Sequence, residues 1–360
     1  MRYFRNAITM QIKRILVIST RQIGDVLLTT PLIHSLKQAT QAKIDVLVFQ
    51  GKGAILEGNP DLNEIIEIPE RPHFKNHFKL FQTIYRKYDL AISTQAGDRP
   101  AIYAFLAAKY RIGILPNLSL KSIWKKWLYQ KSIVFDDWDT PTILQNLQLV
   151  DLLEINRCYQ IILPRSNSEI KQLPQSSYAV LHLTPMWKYK RWTKEGWEKV
   201  AQWIAEQNWQ VVLTGSANKE EQQYLIEITQ NFPKNTLNLA GKLSFGQVAQ
   251  LIEKSEIFIG VDTAVTHLAA ATGVPMIALF GPTNPIKWSP FPKDYADNKP
   301  PFERIKPFQR NKNIVLIQGI AECVPCHQEG CEKHRQSHSR CLDEISAERV
   351  IEAIIALKRA

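Results

Sequence analysis

The sequence predicts an α/β protein of two domains, each built on a parallel β-sheet that helices cover. Short apolar runs of strand length alternate with helical patterns, and this alternation starts again after a polar, proline-containing segment at residues 164–175. The length of 360 residues is enough for two hydrophobic cores. We therefore predict a first domain at residues 13–165 and a second at residues 176–342.

The first domain opens with a buried strand at residues 13–20, a loop, and a helix predicted from Val26 to Ala39. The loop lacks the G-x-G-x-x-G pattern, so the dinucleotide-binding fingerprint is absent. Further strands are predicted at residues 44–49, 63–69, 89–93 and 111–115, and helices at residues 77–87, 99–109 and 142–153.

Two polar residues of this domain follow predicted strands. Asp25 lies at the start of the first helix, where a carboxylate ordinarily serves as a cap. The functional alternative is that Asp25 takes a proton from a hydroxyl group. Arg99 begins a later helix, and it either holds an anionic group or pairs with its neighbour Asp98.

The second domain repeats the pattern. Its strands are predicted at residues 178–183, 210–213, 236–239, 256–261 and 276–280, and its helices at residues 194–207, 219–230, 244–254 and 264–272.

The stretch at residues 256–285 has the features of a ligand site. Asp262 or Thr263 caps a helix of small residues, and the N–H groups at a helix start suit a phosphate or pyrophosphate. The alternative is a capped helix without a ligand. His267, one turn on, and a tight turn at residues 280–283 favour a ligand at this sheet edge.

A loop at residues 184–192 carries cations and two tryptophans directly after a strand. Basic loops are ordinarily plain surface. Because this loop belongs to the same predicted sheet edge as Asp262 and Thr263, phosphate contact is the better explanation. An aromatic ring would then lie near the base of a nucleotide.

The net charge of +11 implies an anionic partner, such as nucleic acid, a membrane surface, phosphorylated small molecules or glycans. No apolar run is long enough to span a bilayer, and residues 1–13 lack a signal-peptide core, so we predict a cytoplasmic protein. One segment alternates lysines with aromatic residues, a pattern typical of a lipid-headgroup surface and equally of a solvated helix face with buried tryptophan. Its residues are Lys121, Lys125, Lys126 and Lys131 with Trp124, Trp127 and Tyr129.

Four cysteines crowd into one segment near the end, while Cys158 stands alone. Their spacing is compatible with a structural zinc site, in which His327, His334 or His338 could replace a thiolate. A cytoplasmic setting disfavours disulfides, and we interpret the segment as a structural staple with the metal undecided. The four are Cys323, Cys326, Cys331 and Cys341.

Together these motifs resemble those of glycosyltransferase family 9, the ADP-heptose:lipopolysaccharide heptosyltransferases, over nearly the whole chain from Lys13 on. The resemblance implies the GT-B architecture, in which two Rossmann-like domains face each other across a cleft and the last helix, here at residues 345–359, often crosses back to the first. The motifs are Ile23-Gly24-Asp25-Val26-Leu27 with Thr29-Thr30-Pro31, Lys190-Arg191-Trp192, and GVDTAVTHLAAATGVPMIALFGPTNP.

The resemblance also implies inverting, metal-independent transfer of a heptose or related sugar from a nucleotide-diphosphate donor, in particular ADP-heptose. The acceptor would be a lipopolysaccharide core or a similar anionic, lipid-linked glycan. No cofactor would be required for catalysis. The enzyme would work at the cytoplasmic face of the inner membrane, in peripheral contact with it, and without a nucleic-acid partner.

Site residues carry over by position. Asp25 matches the catalytic base, and Arg21 and Arg99 are the acceptor-binding candidates. Glu221, with Glu220 as the alternative, matches an acidic residue near the nucleoside. Ala264 replaces a glycine that many members have. The donor-binding candidates are Thr184, Lys190, Glu221, Asp262, Thr263, Ala264 and His267.

Other functions fit the same fold. One alternative is a nucleotide-sugar epimerase or hydrolase, which would release product without an acceptor. Another is a non-catalytic binder of anionic glycolipid that uses the basic charge of the chain.

Overall fold

The structure, a computed structural model, describes residues 12–117, 119, 122–174 and 176–358. Of the predicted lysine and aromatic segment, Lys121 lies outside these residues, as does Arg359 of the predicted last helix. The chain divides into two compact units, one ending at Pro164 and one beginning at Arg165.

The first unit contains a parallel sheet. Its described strands are β1 Arg14–Ser19, β2 Lys43–Phe49, β3 Glu64–Ile68, β4 Tyr88–Ser93, β5 Ala108–Leu115 and β6 Lys131–Val134. They are arranged in the order β3-β2-β1-β4-β5-β6. The central strand β1 is buried almost throughout, as a continuous apolar run in a doubly covered parallel sheet should be.

Helices connect these strands. They are α1 Ile23–Leu27, α2 Thr30–Thr40, α3 Phe74–Ile84, α4 Asp98–Ala107, α5 Ile123–Leu128 and α6 Thr142–Asp151, with a 3-10 turn at Gly53–Leu56. α3 and α4 share one core cluster with the sheet, to which Leu80, Tyr103 and Leu16 belong. α2 and α6 pack against each other.

The prediction of one helix from Val26 to Ala39 is wrong. The chain forms α1 and then α2, because Pro31 lacks an N–H group and suits only the first turn of a new helix. At the break, two hydroxyls donate hydrogen bonds to backbone carbonyls at the end of α1. Thr29 Oγ1 donates to Val26 at 2.7 Å and Thr30 Oγ1 to Leu27 at 2.8 Å.

The second unit has a mixed sheet. Its described strands are β7 Tyr178–His182, β8 Gln210–Thr214, β9 Leu237–Asn238, β10 Ile257–Val261, β11 Met276–Phe280, β12 Phe308–Asn311 and β13 Ile314–Gln318. The order is β12-β13-β11-β10-β7-β8-β9, and only the pairing of β12 with β13 is antiparallel among these strands.

The helices of this unit are α7 Lys194–Glu206, α8 Lys219–Ile228, α9 Phe245–Glu253, α10 Ala264–Thr272, α11 Pro285–Trp288, α12 Arg340–Asp343 and α13 Ala347–Lys358. The resemblance suggested that the last helix crosses to the first domain. Instead, the buried face of α13 shares a core cluster with α7 and the second sheet, so this helix belongs to the second unit. Among the described helices, none has the length and apolar character to cross a membrane.

Trp192 anchors the end of the basic loop in the core. Its side chain is 2% exposed and packs edge-on against Trp197, with 4.9 Å between the ring centroids. Its indole N–H donates to the carbonyl of Ile345 at 2.9 Å. Trp192 is therefore not the aromatic ring predicted near a nucleotide base, because its ring packs in the core.

We predict that Trp192→Phe lowers the free energy of unfolding by about 1–3 kcal/mol, because the Ile345 carbonyl is left buried without its donor. Urea titration followed by tryptophan fluorescence measures this change. Trp203→Phe, at a half-buried position of the same unit, is the control and should cost less than about 0.5 kcal/mol. Equal effects of the two substitutions would contradict the anchoring role.

Candidate active site

The carboxyl ends of β7, β8, β10 and β11 lie at one edge of the second sheet, because these strands are parallel. Each strand runs into a loop with a predicted site residue or turn. Thr184 follows β7, Ser216 follows β8, Asp262 follows β10, and Gly281 follows β11. The structure thus brings the donor-site candidates to one edge.

Lys190 and Asp262 form an ion pair, with 2.6 Å between Nζ and Oδ2. The Asp262 side chain is 9% exposed, and Lys190 ends a short 3-10 turn. Burial raises the pKa of Asp262, but the charge and hydrogen bond of Lys190, together with a hydrogen bond from Thr283, outweigh it, so the pKa is lowered. The carboxylate is ionised at neutral pH and fixes the lysine head at the sheet edge.

Thr263, rather than Asp262, caps α10. Its Oγ1 accepts a hydrogen bond from the N–H of Thr266 at 3.3 Å, which satisfies one of the N–H groups of the first turn. Ala264 is the first residue of the helix and is half-buried. The remaining N–H groups of the turn and the positive end of the helix dipole suit an anion beside Lys190.

His267 lies one turn into α10 and is buried. Burial lowers its pKa to about 4; the charge of Lys190 adds to this, and Asp262 opposes it. The imidazole is therefore neutral at pH 7. Within the described part of the chain, its buried Nδ1 has no hydrogen-bond partner. Buried polar atoms of this kind are rare, and a ligand or water ordinarily completes them.

Thr184 presents a second such atom. The residue is 4% exposed, and its buried Oγ1 has no hydrogen-bond partner among the described residues. Gly215, after β8, comes so close that a Cβ there would lie 3.0 Å from this hydroxyl. A hydroxyl that is buried at the sheet edge and lacks a partner is suited to bind a ligand.

Glu221 turns toward the loop after β8. Its Oε2 accepts from Ser216 Oγ at 2.6 Å, and Asn218 caps the helix that carries it. The alternative, Glu220, has an exposed side chain. The structure thus places Glu221 at the common edge, next to the end of β8.

Asp25 and Arg21 lie after β1 in the first unit. Asp25 belongs to the first turn of α1, but the cap position is Gln22, so capping does not explain this carboxylate. The Asp25 side chain is 15% exposed, and its Oδ1 lies 3.8 Å from Nη1 of Arg21. The Arg21 guanidinium also faces the Phe135 ring, 5.9 Å from its centroid. This edge combines a largely buried carboxylate with a cation.

Arg99 is exposed at the start of α4. Its Nη1 donates to the carbonyl of Glu70 at 2.8 Å, and its guanidinium lies 5.5 Å from the centroid of the Phe49 ring. Pairing with Asp98, the alternative explanation, does not occur, because Asp98 pairs with Lys125 at 2.5 Å. The role of Arg99 as an acceptor contact stays a prediction.

Other side chains of the basic loop have partners within the second unit. The Arg191 guanidinium lies 3.7 Å from the centroid of the Tyr224 ring. Arg335 lies over the ring of Trp187 at 4.3 Å. Lys190 is therefore the loop cation that the structure holds at the edge with Asp262.

Sequence reasoning missed the contacts that hold this loop. Ser339 Oγ donates to the carbonyl of Tyr189 at 2.6 Å, and the N–H of Lys188 donates to the carbonyl of Arg335 at 3.1 Å. The same segment reaches the turn after β11, where the N–H of His327 donates to the carbonyl of Pro282 at 2.9 Å. The cysteine-containing segment thus braces both loops of the site, and no local sequence signal announces this.

The cysteines are free thiols in the described structure. Burial, with smaller contributions from the other three thiols, raises the pKa of Cys341 to about 12. No group of three or more His, Cys, Asp or Glu side chains is arranged to hold a metal ion in the described ranges. The zinc site stays a prediction, whereas the bracing contacts account for a structural role of the segment.

Lys287 was also missed. It follows the turn after β11, in the short helix α11, and is only 2% exposed. Asn284 caps this helix by accepting from the N–H of Ile286 at 3.1 Å. The Asn-Pro pair was a readable helix start, but nothing in the sequence distinguishes a buried lysine from a surface one.

The comparison with protein families identifies the class. Residues 77–334 match glycosyltransferase family 9 (heptosyltransferase), which is more than half of the chain. The protein is a glycosyltransferase, and it belongs to family 9. The donor-site candidates all lie in the matched region, whereas Arg21 and Asp25 precede it.

Comparisons with individual proteins support the assignment to this family. The chain is 30% identical over 319 residues to lipopolysaccharide heptosyltransferase 3 of Escherichia coli K12, covering 82% of this chain and 92% of the relative. It is similar in structure to E. coli ADP-heptose lipopolysaccharide heptosyltransferase II, with a TM-score of 0.71, 20% identity and coverage of 96% and 100%. An E. coli heptosyltransferase solved with ADP gives a TM-score of 0.70, 19% identity and coverage of 96% and 99%. The predicted GT-B fold is confirmed.

We predict that His267 makes stability depend on pH. Its folded pKa of about 4 is below its usual 6.5, so the unfolded state binds more protons between these values. The stability from the neutral imidazole is complete above pH 6.5 and is lost as the pH falls toward 4, by about 1.4 kcal/mol per pH unit. His267→Gln should therefore show a shallower decline in the free energy of unfolding.

Urea titrations at several pH values across this range measure the slope. His338→Gln, at an exposed position, is the matched control and should keep the wild-type slope. If His267→Gln declines as steeply as wild type, the imidazole is not held neutral by burial.

Proposed function

We propose that this protein transfers a heptose from ADP-heptose onto a lipopolysaccharide core or a similar anionic, lipid-linked glycan, with inversion and without a catalytic metal. The main support is the sheet edge where Lys190, Asp262 and the start of α10 lie together. The name of the 30%-identical relative and the ADP bound in one solved neighbour agree with this donor and acceptor.

The donor diphosphate would bind at this edge. Lys190 would face the phosphates, and the first N–H groups of α10, beyond the Thr263 cap, would donate to them. Negative charge grows on the diphosphate as the sugar leaves. Preorganised donors of this kind each contribute about 3 kcal/mol of transition-state stabilisation. The cationic side chain and the helix terminus would thus supply the charge that a metal supplies elsewhere.

Two buried groups would form hydrogen bonds with the parts of the donor other than the diphosphate. Thr184 Oγ1 and His267 Nδ1 each lack a hydrogen-bond partner in the described structure and lie on elements of the same edge. Glu221 would approach the nucleoside from the loop after β8. The partnerless groups favour a ligand with several hydrogen-bonding positions, as a nucleotide-sugar has.

Asp25 would act as the catalytic base. It takes the proton of the acceptor hydroxyl while the oxygen bonds the anomeric carbon from the side opposite the diphosphate. The bond from that carbon to the diphosphate oxygen breaks, and ADP leaves with the electron pair. Arg21 and Arg99 would contact anionic groups of the acceptor. A lipid-linked acceptor would place the enzyme at the cytoplasmic face of the inner membrane.

Asp25→Asn is expected to lower the rate constant of transfer about 10²- to 10⁴-fold, because the general base is lost. Protection of the protein by ADP in thermal melts should be unchanged. A coupled assay for ADP release with a purified core acceptor measures the rate. Near-wild-type transfer by Asp25→Asn would remove this residue from the mechanism, and sugar release from the donor alone would indicate a hydrolase.

Lys190→Met should weaken ADP binding about 10- to 100-fold, because a hydrogen bond to a charged group is worth about 1.5–3 kcal/mol. The single variant also leaves Asp262 buried and unpaired, which lowers stability. The double variant Lys190→Met with Asp262→Asn removes both charges, so no unpaired charge is left buried. We expect it to recover thermal stability without recovering protection by ADP; full protection would contradict the role of Lys190.

A further inference from the structure

Helix α3 presents a line of aromatic side chains to solvent. Its opposite face is buried, with Leu80 and Ile84 in the core of the first unit. A globular protein ordinarily turns its aromatic residues inward, and a contiguous exposed line marks an interaction surface. The line recurs at helical spacing and consists of Phe74, Phe78, Phe81 and Tyr85, which are 83%, 53%, 36% and 49% exposed.

The apolar surface continues onto the neighbouring helices. α4 contacts both α3 and α5, and it exposes Ile102 and Phe105. Arg86, just after α3, joins the two helices: its guanidinium lies 5.6 Å from the centroid of the Phe105 ring. On α5, Trp127 is 78% exposed. Phe74, Phe78 and Phe81 of α3, Tyr85 directly after it, and Ile102, Phe105 and Trp127 are together called the aromatic face.

The charges along α3 are of one sign. Residues 71–87 contain no acidic side chain. The acidic residues at either end of this stretch are engaged, since Glu70 lies 3.7 Å from Lys52 and Asp89 accepts from the backbone of Lys13 and Arg14. The exposed cations of the stretch are Arg71, Lys75, Lys79, Arg86 and Lys87.

This surface differs from the lysine and aromatic segment that the sequence suggested. Lys125 is buried in an ion pair with Asp98, and Tyr129 is buried as well, so these two cannot reach a headgroup layer. Trp127 of that segment does reach the surface, beside α4. The aromatic line along α3 supplies four of the seven residues of the aromatic face.

We propose that the aromatic face is the surface by which this protein docks on an anionic lipid bilayer, with α3 lying in the plane of the headgroups. Aromatic rings interleaved with lysine and arginine suit the boundary between headgroups and acyl chains. Protein interfaces, in contrast, are depleted in lysine. The inference makes specific the membrane contact of the proposed function, but it concerns binding alone and holds for any reaction at the site.

Binding to vesicles tests the proposal without donor or acceptor, so its failure is distinct from a failure of the transfer reaction. Wild-type protein should co-sediment with vesicles that contain phosphatidylglycerol and much less with vesicles of phosphatidylcholine alone. Lys75→Glu with Lys79→Glu should weaken binding at least about 25-fold, because each of the two positive charges lost costs about fivefold. Phe74→Ser with Phe78→Ser should weaken it about 10-fold or more.

Matched controls lie on the second unit. Ile226→Ser with Ile305→Ser removes two exposed apolar side chains, and Lys171→Glu with Lys234→Glu reverses two exposed charges. These pairs should bind within about twofold of wild type. Urea unfolding identifies any variant that fails to fold. If one of the two α3 double variants fails to fold, the vesicle binding of the other double variant tests the proposal. Wild-type indifference to phosphatidylglycerol, α3 variants that bind like the controls, or a solution dimer that Phe78→Ser dissociates would overturn the proposal.

Discussion

The pair of Lys190 and Asp262 is the interaction on which the candidate donor site depends. It joins the loop after β7 to the start of α10, two segments 72 residues apart. Burying either charge alone would be strongly unfavourable, so each side chain fixes the other. Because Asp262 directly precedes the Thr263 cap, the same pair sets the lysine head beside the N–H groups of the helix. A fixed cation at a fixed helix start is what an anionic leaving group requires.

The alternation of strands and helices was readable from the sequence because it reflects local periodicity. The cap of α10 could also be narrowed to Asp262 or Thr263, since a helix cap is a local signal, and the structure decides for Thr263. The pairing of Lys190 with Asp262 was not readable, because it depends on the order of strands in the sheet. The burial of Trp192 depends in turn on its contact with Ile345, far along the chain. The break at Pro31, in contrast, had a local signal that was overlooked.

The buried polar groups of the site that lack hydrogen-bond partners in the described structure lower the stability of the protein. A buried hydroxyl at Thr184 and a buried ring nitrogen at His267 each cost about 1–3 kcal/mol when unsatisfied. The apolar core around Val200 and Ile204 of the same unit can offset such losses. Destabilising features such as these concentrate where a protein is organised for a ligand rather than for its own stability.

The hydrogen bond from Ser339 to Tyr189 spans 150 residues. During translation on the ribosome, this hydrogen bond to the loop with Lys190 therefore cannot form until a segment 150 residues later has been synthesised. The first unit can collapse before that moment, since its core draws only on residues already translated. The two halves of the enzyme thus mature in sequence, and in a nascent chain that stops short of Ser339 the loop with Lys190 lacks this hydrogen bond.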